Sequence, residues 1–106
     1  MNRKRRVREN GEEIYVLSLE NCPYCSVLKN SLLRLKIPFK DVNIDKNARL
    51  GDKIEIEYQT DGLYPVIMVG NDVLLPHTNL VPSDSLRIFQ TIDEALQLIK
   101  DKYYEI

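Results

Sequence analysis

Cysteine and histidine are both scarce in this chain of 106 residues, which has two cysteines, at positions 22 and 25, and a single histidine, His77. So thin a supply excludes a framework of structural disulfides. It also falls short of a structural zinc site, which needs four ligands gathered in one place, and no metal is expected. Long apolar runs are missing as well. Nowhere do 18 apolar residues follow one another, so no transmembrane helix and no membrane partner are expected. The basic residues Arg3, Lys4, Arg5, Arg6 and Arg8 are followed by Glu9, Asn10, Gly11, Glu12 and Glu13 instead of an apolar stretch. They therefore do not read as a secretory signal, and a cytoplasmic location is expected. Internal repeats are lacking, and beyond the basic start so are low-complexity segments.

What is present is an ordinary globular composition, 43% hydrophobic and 29% charged, in a length that suits one domain. The net charge of −1 conceals an asymmetry. Setting aside the five early cations leaves 10 basic against 16 acidic residues, about −6 for residues 9–106. An acidic body does not suit a nucleic-acid partner, because phosphate contacts need clustered Lys and Arg on the folded surface. Residues 1–12 are read as a basic flexible tail that aids solubility, and 13–106 as the folded domain, expected to be monomeric.

The pattern along that domain is β-α-β-α-β-β-α. Ile14 to Leu19, apolar at nearly every position, predicts a strand buried on both faces. Asn21-Cys22-Pro23 marks a helix start, since proline is favoured at the first helical position. Leu28, Leu32 and Leu35 then give an amphipathic helix ending near Lys36. Phe39, Val42 and Ile44 mark a second strand, and Asp45 and Asn47 offer caps for a helix carrying Leu50, Ile54 and Tyr58, which Gly51 weakens. Pro65 to Val69 and Val73 to Leu75 form a hairpin around Gly70-Asn71-Asp72. A loop containing Pro76, His77 and Pro82 leads to a last helix through Ile92, Ala95, Leu96, Ile99 and Tyr103, with Thr91 and Glu94 as its capping box. Strand, helix, strand implies a right-handed parallel crossover. The fold class is therefore α/β, with a four-stranded mixed sheet flanked by helices.

The chemistry is concentrated in Cys22-Pro23-Tyr24-Cys25, between a buried strand and an amphipathic helix. Two cysteines so spaced at a helix start are close enough to close and reopen a disulfide. Cys25 falls on the stripe of Leu28 and Leu32 that faces the core, and Cys22 falls at the exposed end. Unpaired N–H groups and the positive end of the helix dipole favour a thiolate at Cys22. Free cysteine titrates near about 8.5 and such motifs reach roughly 3.5 to 7.5. Cys22 is thus the attacking thiolate and Cys25 its resolving partner. An inert buried pair, and an iron–sulfur cluster bridged between two subunits, are the other readings of the same residues.

These residues resemble the glutaredoxin family, whose hallmark is a Cys-Pro-Tyr-Cys site after the first strand of a thioredoxin-like fold. The resemblance extends in element order from about Ile14 to Tyr103. It implies a cis-proline facing the cysteines, at Pro65, with the backbone of Tyr64 pairing with a bound glutathione or peptide strand and with Pro23 and Tyr24 lining the same groove. It implies that Ser83 and Asp84 begin the last helical region and hold the γ-glutamyl end. It also implies glutathione as reductant, and protein disulfides or glutathione mixed disulfides as substrates. The glutathione positions depart from the family's pattern: Leu19 replaces a lysine, Leu63-Tyr64-Pro65 replaces Thr-Val-Pro, and Val81-Pro82-Ser83-Asp84 lacks two glycines. With no tryptophan and no Gly-Pro between the cysteines, a thioredoxin-type site is disfavoured. The alternatives in function are a binding module of the same fold and a protein disulfide reductase that does not use glutathione.

Overall fold

The computed structural model describes residues 13–103, so the basic tail read at 1–12 and Tyr104 lie outside the described residues. The chain runs β1 (Ile14–Ser18), α1 (Pro23–Arg34), β2 (Lys40–Asn43), a short 3-10 turn (Ile44–Lys46) and α2 (Ala48–Tyr58). It continues through β3 (Val66–Val69), β4 (Asp72–Leu75), β5 (Leu86–Ile88) and α3 (Ile92–Tyr103). The sheet order is β2-β1-β3-β4-β5, with β1–β2 and β4–β5 parallel and β1–β3 and β3–β4 antiparallel.

The expected four strands are corrected to five. Leu86-Arg87-Ile88 aligns with Val73-Leu74-Leu75 as an edge strand. Three residues with a central arginine carry no periodic signal of their own, and their pairing is set by the neighbour. Helix α1 ends at Arg34, short of the expected Lys36, because Lys36 takes a left-handed φ of 60° and the chain turns towards buried Ile37. Ile44 belongs to the 3-10 turn and not to the second strand.

Alternation along the strands builds two cores. On one face Ile14, Val16, Ile67 and Leu74 pack against Leu28 and Leu32 of α1 and Ala95 and Ile99 of α3. On the other Leu17, Val66, Val73 and Leu75 pack against Ile54 of α2 and Ile44. The central β1 is thus covered on both faces, as its apolar run predicts. Gly51 gives α2 room at this contact, since a Cβ there would lie a tight 3.0 Å from Ile44 Cγ2. At the hairpin, Gly70 takes a φ of 59° that few other residues adopt without strain. No helix among the described residues is long and apolar enough to cross a membrane.

Candidate active site

Cys22 is the N-cap of α1, with extended backbone (φ −125°, ψ 101°) and Pro23 directly after it. Its sulfur accepts the N–H of Cys25 at 3.1 Å, and its carbonyl accepts the N–H of Ser26 at 3.1 Å. A sulfur that occupies the cap position receives a helix N–H that would otherwise be orphaned, together with the positive end of the dipole. Cys22 is half-buried and Cys25 is 1% exposed, with Cα atoms 5.2 Å apart and the two sulfurs paired. Cys22 is thus the more accessible of the two sulfurs, and Cys25 lies behind it in the core.

The strand-to-helix loop ahead of Cys22 is anchored from the side. Asp45 accepts the N–H of Glu20 at 2.7 Å, and Asn43 Nδ2 donates to Glu20 Oε2 at 3.1 Å. Asp45 therefore holds the cysteine loop rather than capping α2. Asn47 precedes α2 without a side-chain cap, its amide donating instead to the Asn43 carbonyl at 3.0 Å.

Opposite the cysteines lies the loop from Gln59 to Pro65. The Tyr64–Pro65 peptide bond is cis, and the Tyr64 carbonyl oxygen sits 3.8 Å from Cys22 Sγ. The ring of Tyr64 packs into the second core. Burial, followed by the charge of Glu55, pushes its phenol above the ordinary tyrosine value. Glu55 is the organiser of this loop. Its carboxylate accepts from Gly62 N at 3.0 Å, Asp61 N at 3.1 Å and the hydroxyl of fully buried Thr60 at 3.0 Å. The Gly62 N–H, with those of the neighbouring groups, holds Glu55 below the ordinary glutamate range against the opposing effect of burial. These bonds secure three left-handed residues, Gln59 (φ 53°), Asp61 (58°) and Gly62 (74°). Thr78 Oγ1 donates to the Tyr58 carbonyl and ties the next loop to the same point. His77 Nε2 lies 3.1 Å from the Asp61 carboxylate, without the alignment of a hydrogen bond.

A groove of about 580 Å³ opens between these parts. Tyr24, Val27, Leu63, Tyr64 and Pro65 line its near side, whereas Pro23, which the resemblance put in the same groove, does not line it. Its far side comes from the segment Phe89–Asp93 at the start of α3, which the sequence reading did not assign to the site. Ser83 and Asp84 are placed elsewhere. Both are exposed in the turn where Ser83 N donates to Leu86 O at 2.9 Å, and neither lines the groove. The expectation that they begin the last helical region is corrected, because β5 takes up the chain after them and α3 starts at Ile92. Thr91 caps that helix, its Oγ1 accepting Glu94 N at 3.1 Å, while Glu94 reaches the N–H of Gln90 rather than that of Thr91. Leu19 packs against the second core, so no charge stands at the position where the family's lysine was expected.

A capped cysteine pair on a thioredoxin-like α/β fold, set against a cis-proline loop beside an open groove, defines a thiol–disulfide oxidoreductase. The glutaredoxin family model matches residues 13–74, more than half of the chain and including both cysteines and Pro65. The chain belongs to the glutaredoxin family. No curated protein matches it. Among the described residues, no group of three or more His, Cys, Asp or Glu side chains is placed to hold a metal ion.

Proposed function

We propose that the protein reduces disulfides on polypeptides, and mixed disulfides, by a dithiol route through Cys22 and Cys25, acting as a monomer in the cytoplasm with residues 13–106 as its working domain. The observation that carries this reading is the Cys22 sulfur held as the N-cap of α1, with the buried sulfur of Cys25 one turn behind it. The Cys22 thiolate attacks one sulfur of the substrate disulfide. A Cys22–substrate bond forms, the substrate S–S bond breaks, and the leaving thiolate takes a proton. Cys25 then loses its proton and attacks Cys22 Sγ, forming the Cys22–Cys25 disulfide and expelling the second substrate thiolate. The substrate gains two electrons from the protein and two protons, one released by Cys25 and one taken from solvent.

Two equivalents of a small thiol restore the dithiol, and glutathione is the one the family implies. The groove offers the Tyr64 backbone to a cysteinyl unit and the Asp93 carboxylate to an ammonium group. Tyr24 and Pro65 frame the same approach. Ser83 and Asp84 are not retained as contacts, since they lie outside the groove.

The test is single-turnover reduction of a protein disulfide by the parent, Cys22→Ser and Cys25→Ser. Loss of turnover in Cys22→Ser, with a trapped mixed disulfide in Cys25→Ser, is the expected result. Turnover that survives Cys22→Ser overturns the assignment. Alkylation of the reduced protein across pH is expected to show Cys22 ionising below free cysteine.

A further inference from the structure

The loop opposite Cys22 leaves the body of the fold after buried Thr60 and comes back at Tyr64. Asp61, Gly62 and Leu63 between them are all exposed. The Tyr64 carbonyl oxygen sits 3.8 Å from Cys22 Sγ, while its ring packs into the second core. The tip of that ring reaches α2, since a Cβ added to Gly51 would lie 3.9 Å from Tyr64 Oη, an ordinary van der Waals contact. Glu55, four residues further on and so on the same face of α2, bears on the same phenol, which feels burial first and that carboxylate second. One residue thus has its backbone at the reactive sulfur and the end of its side chain against α2. The family's pattern has valine in this place, and a valine side chain stops too near the backbone to make the second contact.

We propose that the Tyr64 side chain is a positioning residue, a strut between α2 and the cis-proline loop that fixes the Tyr64 backbone over Cys22 and with it the seat of the substrate's cysteinyl unit. The inference deepens the reductase reading above and rests on it. Glu55 restrains the turn at Thr60, Asp61 and Gly62, but its hydrogen bonds stop two residues short of Tyr64. Leu63 donates its N–H to the Thr60 carbonyl at 3.2 Å and leaves its side chain 50% exposed, so it adds no anchor in the core. Buried Pro65 anchors one side of the cis bond, and the Tyr64 ring anchors the other. An aromatic ring brings a large apolar surface on two side-chain torsions, so it is held firmly at little entropic cost. A substrate strand gains from a backbone that is already in place, because a misplacement of about 1 Å weakens a reactive complex strongly.

The test uses the full chain, reduced, in single turnover with a mixed disulfide between acetyl-Ala-Cys-Ala amide and a chromophoric thiol. Tyr64→Val is expected to raise the half-saturating concentration of this probe by roughly fivefold, with the limiting rate within about twofold of the parent's and the pH profile of Cys22 alkylation unchanged. Tyr64→Leu, which keeps more apolar bulk but also stops short of Gly51, carries the same expectation if the valine variant does not fold. Tyr64→Phe keeps the strut and is expected to restore the parent's value. Ile54→Val thins the same core away from the loop, and is expected to lower the denaturant midpoint without moving the half-saturating concentration. A parent-like value in Tyr64→Val or Tyr64→Leu, a phenylalanine variant as weak as either, or an equal rise in Ile54→Val overturns the inference while leaving the reductase reading intact. Failure of the parent to reduce the probe overturns the reductase reading itself.

Discussion

On the α1 side of the site, Cys22 caps its own helix through a contact that spans three residues, whereas on the opposite side the Tyr64 carbonyl reaches the same sulfur through a turn tied to another helix at Glu55. The first arrangement is local. It needs only a helix start and a proline, and it would form in any setting that lets α1 pack. The second depends on the network linking Glu55 to Thr60, Asp61 and Gly62, and on two left-handed non-glycine residues, Gln59 and Asp61, that are costly without it. Under the proposed function, thiolate chemistry belongs to one side and the presentation of substrate to the other. The two should come apart when either support is cut.

The largest effect is expected from Leu28→Ala. Leu28 is fully buried beneath α1, so truncation should destabilise the fold by about 2–5 kcal/mol, read as a lower denaturant midpoint. Leu33→Ala on the 65% exposed outer face should stay within about 0.5 kcal/mol. The folded fraction of the Leu28 variant should still alkylate at Cys22 with the parent's pH dependence. A cap whose reactivity changes with the core beneath it would contradict the local account.

Glu55→Ala cuts the other support. The expected outcome is a several-fold rise in KM for a peptide disulfide, with the alkylation rate of Cys22 unchanged and with partial recovery in Glu55→Gln, which keeps an acceptor oxygen. The pH dependence has a definite sign. Because the folded protein holds Glu55 below its ordinary value of 4.5, the turn is fully restrained above that value, and the restraint is lost as pH falls through the depressed one. Hydrogen exchange at Asp61 and Gly62 should accelerate only in that acidic window. Faster exchange there at neutral pH in the parent would refute the role.

A smaller effect is expected at the far wall. Thr91→Ala removes the cap of α3 and should cost about 1 kcal/mol, measured by thermal unfolding, with the first turn of α3 fraying beside the groove. A loss confined to stability, with no change in peptide KM, would detach the α3 start from substrate binding.

The same division explains what could be read in advance. The strand alternation, the Pro23 helix start and the Cys22–Cys25 pairing are local in sequence, so β1, α1, the hairpin and α3 were all legible. The fifth strand was not, because Leu86–Ile88 has no pattern apart from its alignment with Val73–Leu75. Ser83 and Asp84 were misplaced for the same reason, since β5 displaces the start of α3 to Ile92. Glu55 sits at a position that a helical pattern registers only as polar, and its three bonds to the following turn carry no sequence signature. Gly51 weakens α2 by propensity alone, but a Cβ there would stand 3.0 Å from Ile44 Cγ2, a closeness that glycine avoids.

The smallest effect is expected from an ion pair beneath the α1 side. Lys29 Nζ lies 3.0 Å from Asp41 Oδ2 and 3.2 Å from the hydroxyl of Ser18, which itself donates to Asp41 Oδ1 at 2.8 Å. Burial works to raise the Asp41 carboxyl, but the bonds from Lys29 and Ser18 prevail and leave it below the ordinary aspartate value of 3.8. Its contribution is therefore complete above 3.8 and lost as pH falls through the depressed value. With the lysine and aspartate side chains 24% and 45% exposed, water screens much of the attraction, and Lys29→Met should cost no more than about 1 kcal/mol. That cost should shrink in high salt. Since Lys29 stands one helical turn beyond Cys25, the variant also tests how far local capping suffices. An unchanged Cys22 alkylation profile is the expected result, and a profile displaced upward would mean that the thiolate draws on charge from the body of the fold as well as on its own helix end.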